Sequence, residues 1–130
     1  MLFAAHSGLR FLVLLAGVFV VLYALTGFFG KREYSAAMAR LATVFAGLLH
    51  LQVLSGVAVL FARPFYTQLI GHFFTMLIAA GVVQFVNTTM KRRPPEKKSY
   101  GPHLVSGVLA LVCIWAGIVA IGRGVLQSTM

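Results

Sequence analysis

The sequence predicts an all-α integral membrane protein, a four-helix up-down-up-down bundle. Three observations carry that prediction. Of 130 residues, 60% are hydrophobic and 10% are charged, against about a quarter charged in a soluble domain. Four apolar runs, Leu9–Phe29, Leu41–Ala62, Leu69–Met90 and Leu104–Gly122, each reach the length of about 20 helical residues that crosses a bilayer core of ~30 Å. The segments between them are short, which forces neighbouring helices to be antiparallel. The whole chain, 1–130, reads as a single transmembrane domain with helices at about 6–29, 39–62, 68–90 and 102–123.

The first run is too long for the apolar core of a signal peptide. It carries His6 and Arg10 near its start and ends in Thr26-Gly27-Phe28-Phe29-Gly30, without a small-x-small cleavage pattern, so a retained helix is expected. A polar loop, Gly30 to Ala39, leads to the second run, which Arg63-Pro64 closes. The third run passes into Lys91 to Pro102, the one segment with linker composition, containing Pro94-Pro95 and Glu96. The fourth holds the single cysteine, Cys113, expected to be a small packing residue. Continuous apolarity over these lengths favours helices, because lipid-facing strands alternate apolar with polar residues.

The net charge of +9 is unevenly placed. Lys31, Arg32 and Arg40 lie in or beside the first loop, and Lys91, Arg92, Arg93, Lys97 and Lys98 in or beside the third. The positive-inside rule then makes those loops cytoplasmic and puts both termini on the outer side. Topology, with contact to anionic lipid, accounts for the basic residues, and no nucleic-acid partner is expected. Glu33 and Glu96, the two acidic residues, fall in the same loops. A carrier that moves protons or cations on intramembrane carboxylates is therefore disfavoured.

The chemistry-bearing residues are four histidines, one to each apolar run: His6, His50, His72 and His103. An ionisable side chain within a span is costly and usually functional. Neutral imidazoles on facing helices are the donor set of a bundle-bound haem, whereas no Asp, Glu or Cys cluster supports a bare metal. Helical spacing gives each histidine an inward face: Thr43, Gly47 and His50; His103, Gly107, Ala110, Ile114 and Gly117; His72, Thr75 and Ala79; His6, Arg10 and Gly17.

Depth ranks the pairs. At 1.5 Å rise per residue, His6 and His72 fall within about 5 Å of one another on diagonal helices, near the outer face. His50 and His103, on the other diagonal, differ by roughly 13 Å, so a second haem there requires helix tilt or an earlier start to the fourth helix. One or two b-type haems are expected, with His6, His72, His50 and His103 as candidate ligands. Arg10 and Arg63 are the candidate partners of the propionates. Gln52, Gln68, Gln84 and Asn87 are residue types that line quinone pockets, although isolated amides more often hydrogen-bond between helices. The aromatics are expected to face lipid or to pack, and Trp115, too deep for a membrane-interface belt, to fill the core.

The segments His6-Ser7-Gly8-Leu9-Arg10, His50-Leu51-Gln52-Val53-Leu54-Ser55-Gly56, Gly71-His72 and Pro102-His103, with the Lys31-Arg32-Glu33-Tyr34 loop, resemble a group of short four-helix bacterial membrane proteins described as cytochrome b-like. That likeness covers nearly the whole chain and implies a bacterial inner-membrane location. Leu51 to Val57 followed by His72 is also similar to a half-unit of haem A synthase. The latter family pairs histidines from two helices of a four-helix unit around a b-type haem, which implies His6 with His72. The chain departs from that family in having one bundle and no glutamate beside His6, so haem A synthesis itself is not implied. The expected role is an electron relay within a larger membrane redox complex, since so short a chain has no room for a substrate domain. The alternative is a cofactor-free structural or assembly subunit of a respiratory or photosynthetic complex.

Overall fold

Residues 2–62 and 68–120 are described by a computed structural model. Four α-helices account for nearly all of them: α1 (Leu2–Phe29), α2 (Ala36–Ala62), α3 (Gln68–Arg92) and α4 (Gly101–Ala120), with a 3₁₀ turn at Pro95–Lys97. All four are long and apolar enough to span a membrane. Helix α1 packs on α2 and α4, and α3 packs on the same two. The diagonals are therefore α1–α3 and α2–α4, as in an up-down-up-down bundle.

Local chemistry sets the helix ends. Helix α1 stops in a Schellman arrangement: Arg32 N–H reaches Gly27 O at 3.0 Å and Lys31 N–H reaches Phe28 O at 3.4 Å, satisfying carbonyls the helix leaves over. Lys31 takes the left-handed position there, at φ 51°. Helix α2 starts at Ala36 because Ser35 caps it, with the Met38 N–H 3.4 Å from Ser35 Oγ, a common capping geometry. Helix α3 ends where Arg93 precedes Pro94 and Pro95, which cannot continue it. Pro102 sits in the first turn of α4, where its missing N–H has no partner to lose.

The core is lean in side-chain volume. Along α1 the buried positions are Ser7, Arg10, Val13, Gly17, Val20, Ala24 and Gly27, every third or fourth residue and mostly small. A Cβ on Gly17 would stand 2.7 Å from Leu111 Cδ2, so α1 and α4 approach as small-residue membrane helices do. Phe45, Leu49, Ile114 and Ile118 fill the space between. The outward faces are strongly apolar, among them Phe11, Phe19, Phe61, Phe74 and Phe85, as expected where lipid is the solvent. Trp115 belongs to that outer surface at 56% exposed, contrary to its expected place in the core. Cys113 is a free thiol packed at the edge of the core.

Candidate haem site and a tyrosine clasp

The helix ends near His6 and His72 bring two imidazoles close together across the α1–α3 diagonal. Their ring centroids lie 6.5 Å apart, at an interplanar angle of 85°. An imidazole nitrogen sits ~2 Å from a bound transition metal, so two axial rings on one iron have centroids roughly 6 Å apart. The observed separation fits such a pair.

Hydrogen bonds fix which nitrogen each ring offers. His72 Nδ1 lies 2.9 Å from Gly117 O on α4. A carbonyl only accepts, so Nδ1 carries the proton and Nε2 keeps its lone pair. His6 Nδ1 lies 2.7 Å from Ser55 Oγ on α2. The Ser55 hydroxyl donates to Gln52 O at 2.9 Å, so it accepts from His6 Nδ1–H, and Nε2 of His6 is likewise a lone-pair donor. Metal-binding histidines are commonly oriented in this way, through the N–H of the other nitrogen. Gln52 Nε2 also donates to His6 O at 3.0 Å, tying the end of α1 to α2.

Two glycines let the rings lie against neighbouring backbones. A Cβ on Gly56 would come within 3.0 Å of His6 Cε1, and one on Gly117 would meet Thr75 Oγ1, Met76 Cε at 3.0 Å and His72 Nδ1 at 3.4 Å. Arg10 is buried at 6% exposed, one turn from His6, with its guanidinium carbon 4.6 Å over the Phe11 ring. Arg63, the other residue expected to serve propionates, lies outside the described residues, as does the side chain of Gln68.

His50 and His103 do not meet. His50 is exposed on the seam between α2 and α3, with Nε2 2.8 Å from Gln84 Oε1. The expected inward stripe Thr43, Gly47 and His50 faces outward, and α2 instead buries Met38, Ala42, Phe45, Ala46 and Leu49. His103 is buried at 1% exposed, and its Nε2 lies 2.6 Å from Tyr34 Oη. Two haems stacked across the membrane do not follow from this arrangement, because each of these imidazoles is engaged with a different helix or loop.

The surroundings of His103 form a cluster that sequence reasoning did not anticipate. Tyr34 stands 5.4 Å from Tyr100, and Tyr100 stands 6.1 Å from Tyr23, centroid to centroid. Tyr100 Oη donates to Glu33 O at 2.8 Å, and Tyr23 Oη lies 2.8 Å from Ser35 Oγ. A Cβ on Gly27 would come within 2.6 Å of the Tyr100 ring, so the glycine makes the place for it. The loops 30–35 and 93–100 are thereby clasped together at the basic end of the bundle. Burial and then the neighbouring Tyr100 push the Tyr34 phenol up to about 12. Ser55, Gly117 and Tyr34 are the orienting residues missed from the sequence. The stripe read for the fourth helix already sets Gly117 inward, while nothing in the sequence singles out Ser55 or Tyr34 as a histidine's partner.

Among the described residues no group of three or more His, Cys, Asp or Glu could hold a metal ion, so the donors on offer are the paired imidazoles. Compared with protein families, curated proteins and solved structures, the chain matches none. The fold and site together define a membrane-spanning four-helix bundle with the His6 and His72 imidazoles 6.5 Å apart across one diagonal.

Proposed function

We propose that the chain is a membrane b-type cytochrome that holds one haem between His6 and His72 and relays electrons as a small subunit of a larger redox complex. The observation that supports this most strongly is the pairing of His6 with His72, 6.5 Å apart, with both Nδ1 positions committed to acceptors on other helices. A bound haem supplies the one-electron redox change. The chain's own contribution is orientation and environment. His6 and His72 would hold the haem through their Nε2 nitrogens, Ser55 and Gly117 would keep the rings in the ligating tautomer, and Arg10 would supply positive charge near its carboxylates. Apolar helices exclude water around them, which is a main lever on potential.

The distribution of basic residues supports a bacterial inner-membrane orientation with the tyrosine-clasped end cytoplasmic and both termini outside. The haem site is then near the outer face. The resemblance to short cytochrome b-like bacterial proteins points the same way.

The test is a reduced-minus-oxidised spectrum of protein purified after expression with ample haem, with a pyridine haemochrome assay for stoichiometry. One b haem per chain is expected. His72→Ala should lose it, whereas His103→Gln should keep it, because His103 Nε2 is already engaged by Tyr34. A colourless protein, or a His72→Ala variant with an unchanged spectrum, would overturn the assignment. The first outcome would leave the cofactor-free structural subunit, with His50 bonded across helices to Gln84 and His103 bonded to Tyr34 of the first loop.

A further inference from the structure

The bundle end closed by the tyrosine clasp carries charge that the haem reading does not use. Lys31, Arg32, Lys91, Arg92 and Lys97 are exposed there, and among the described residues no ion pair neutralises any of them. Glu33 and Glu96 are exposed in the same loops and form no ion pair either. The loops that bear these charges are fixed. Glu33 O accepts from Tyr100 Oη at 2.8 Å, Tyr34 Oη lies 2.6 Å from His103 Nε2, and Tyr23 Oη lies 2.8 Å from Ser35 Oγ. Three successive residues of the first loop are thus tied to partners outside it. The second loop is turned by bonds from Lys97 N–H to Pro94 O at 2.9 Å and from Lys98 N–H to Pro95 O at 3.3 Å.

One corner of this end combines charge with an apolar wall. The end of α1 meets the start of α4, where a Cβ on Gly101 would lie 3.6 Å from the Phe28 ring. Lys31 and Arg32, just past α1, and Lys97 and Lys98, just ahead of α4, are thereby brought to the same corner. Directly below them Phe28 is 50% and Phe29 71% exposed, the two rings edge to face with centroids 5.2 Å apart. Beyond the hydrocarbon lies a headgroup layer about 5–8 Å deep, and loops this short, closed back on the bundle, keep their charges within it. An acidic polypeptide would answer the charges and leave the aromatic wall bare. A second copy would bring the same net charge of +9 and be repelled. A phospholipid with an anionic headgroup answers both features at once.

We infer that the corner between the end of α1 and the start of α4 binds one anionic phospholipid, its phosphate held by Lys31, Arg32, Lys97 and Lys98 and an acyl chain lying on Phe28 and Phe29. This differs from the general attraction of basic loops to an anionic leaflet, which is diffuse and counts charges. Here the clasp sets both loops before the lipid arrives, so less freedom is lost on binding. The site does not depend on the haem reading.

The experiment is native mass spectrometry of the full-length protein in neutral detergent, titrated with phosphatidylglycerol or phosphatidylcholine, with circular dichroism to check the helicity of each variant. Wild type should retain one phosphatidylglycerol at concentrations where phosphatidylcholine is not retained. Arg32→Gln should weaken that binding about fivefold, the worth of one basic side chain at an anionic surface. Arg40→Gln removes equal charge from α2, which packs on α1 and α3 and stands diagonal to α4. It should change binding by no more than about twofold, since its charge lies off the corner. Tyr100→Phe keeps every charge but releases Glu33 O, and should weaken binding about threefold or more through lost preorganisation. Equal losses in Arg32→Gln and Arg40→Gln, or equal retention of the two lipids, would reduce the contact to diffuse attraction and overturn the site. Wild-type affinity in a Tyr100→Phe variant of intact helicity would overturn it as well. If that variant loses helicity, the contrast between Arg32→Gln and Arg40→Gln decides alone. Hexaglutamate that displaces the bound lipid as readily as added phosphatidylglycerol does would assign the corner to an acidic polypeptide and overturn the lipid site equally.

Discussion

Replacing Ser55 with alanine isolates the orienting role from the ligating one. The change removes the acceptor that His6 Nδ1–H has at 2.7 Å. The serine's own donation to Gln52 O is a local bond within α2, and its loss leaves only a carbonyl that the helix ladder already serves. The imidazole N–H, in contrast, is left unpaired in a partly buried place, which costs about 1–3 kcal/mol. At 1.4 kcal/mol per tenfold, that is roughly a 10–100-fold loss of haem affinity, the range expected when the orienting partner of a metal-bound histidine is removed. The assay is the rate of haem transfer to excess apomyoglobin. Ser55→Ala should lose haem about 10–100 times faster than wild type, while Ser55→Thr, which keeps the hydroxyl, should stay near wild type. Equal rates in Ser55→Ala and wild type, or equal impairment in the threonine variant, would refute the reasoning.

The Schellman end of α1 gives an independent prediction of stability. Lys31 holds a left-handed conformation that costs a side-chain-bearing residue about 1–2 kcal/mol, so Lys31→Gly should raise the unfolding free energy by about 1 kcal/mol in a denaturant titration in detergent. The clasp predicts an alkaline signature. A free phenol ionises near 10, and Tyr34 in the folded chain ionises at about 12. Between those values the unfolded chain binds fewer protons than the folded one, so stability is full below about 10 and falls as pH rises toward 12. The ultraviolet tyrosinate band should show a late-titrating phenol that Tyr34→Phe removes.

The architecture was legible because apolar runs of bilayer length, separated by short polar loops, admit few arrangements. The depth of His6 and His72 was legible for the same reason: rise per residue is fixed, so sequence position converts directly to height. The face that α2 buries was not. Its residues are apolar almost all the way round, and the stripe Thr43, Gly47 and His50 has the small and polar character of an interface. Packing instead selected Ala42, Phe45, Ala46 and Leu49, and His50 found Gln84, a partner 34 positions away. The clasp was hidden by distance as well. Nothing near Tyr34 in the sequence indicates that His103 and Tyr100 return to it, and Gly27 reads as an ordinary small residue until the Tyr100 ring is laid on it.

The hydrogen bonds at the two histidines divide the molecule in an unexpected way. Helices α1 and α2 make one hairpin, and within it His6 already has its acceptor on Ser55. Helices α3 and α4 make another, and within it His72 already has Gly117. Each hairpin is a finished half-socket, and the opposed imidazoles exist only where the two are brought face to face. In the proposed holoprotein the iron is thus a rivet between hairpins, and whatever free energy it contributes to binding appears equally as cohesion of the bundle. At a haem concentration a hundredfold above its dissociation constant that linkage is about 2.7 kcal/mol, comparable with a large share of the stability of an ordinary domain. Supply of cofactor would then govern how much assembled protein a membrane holds as well as how much of it carries electrons.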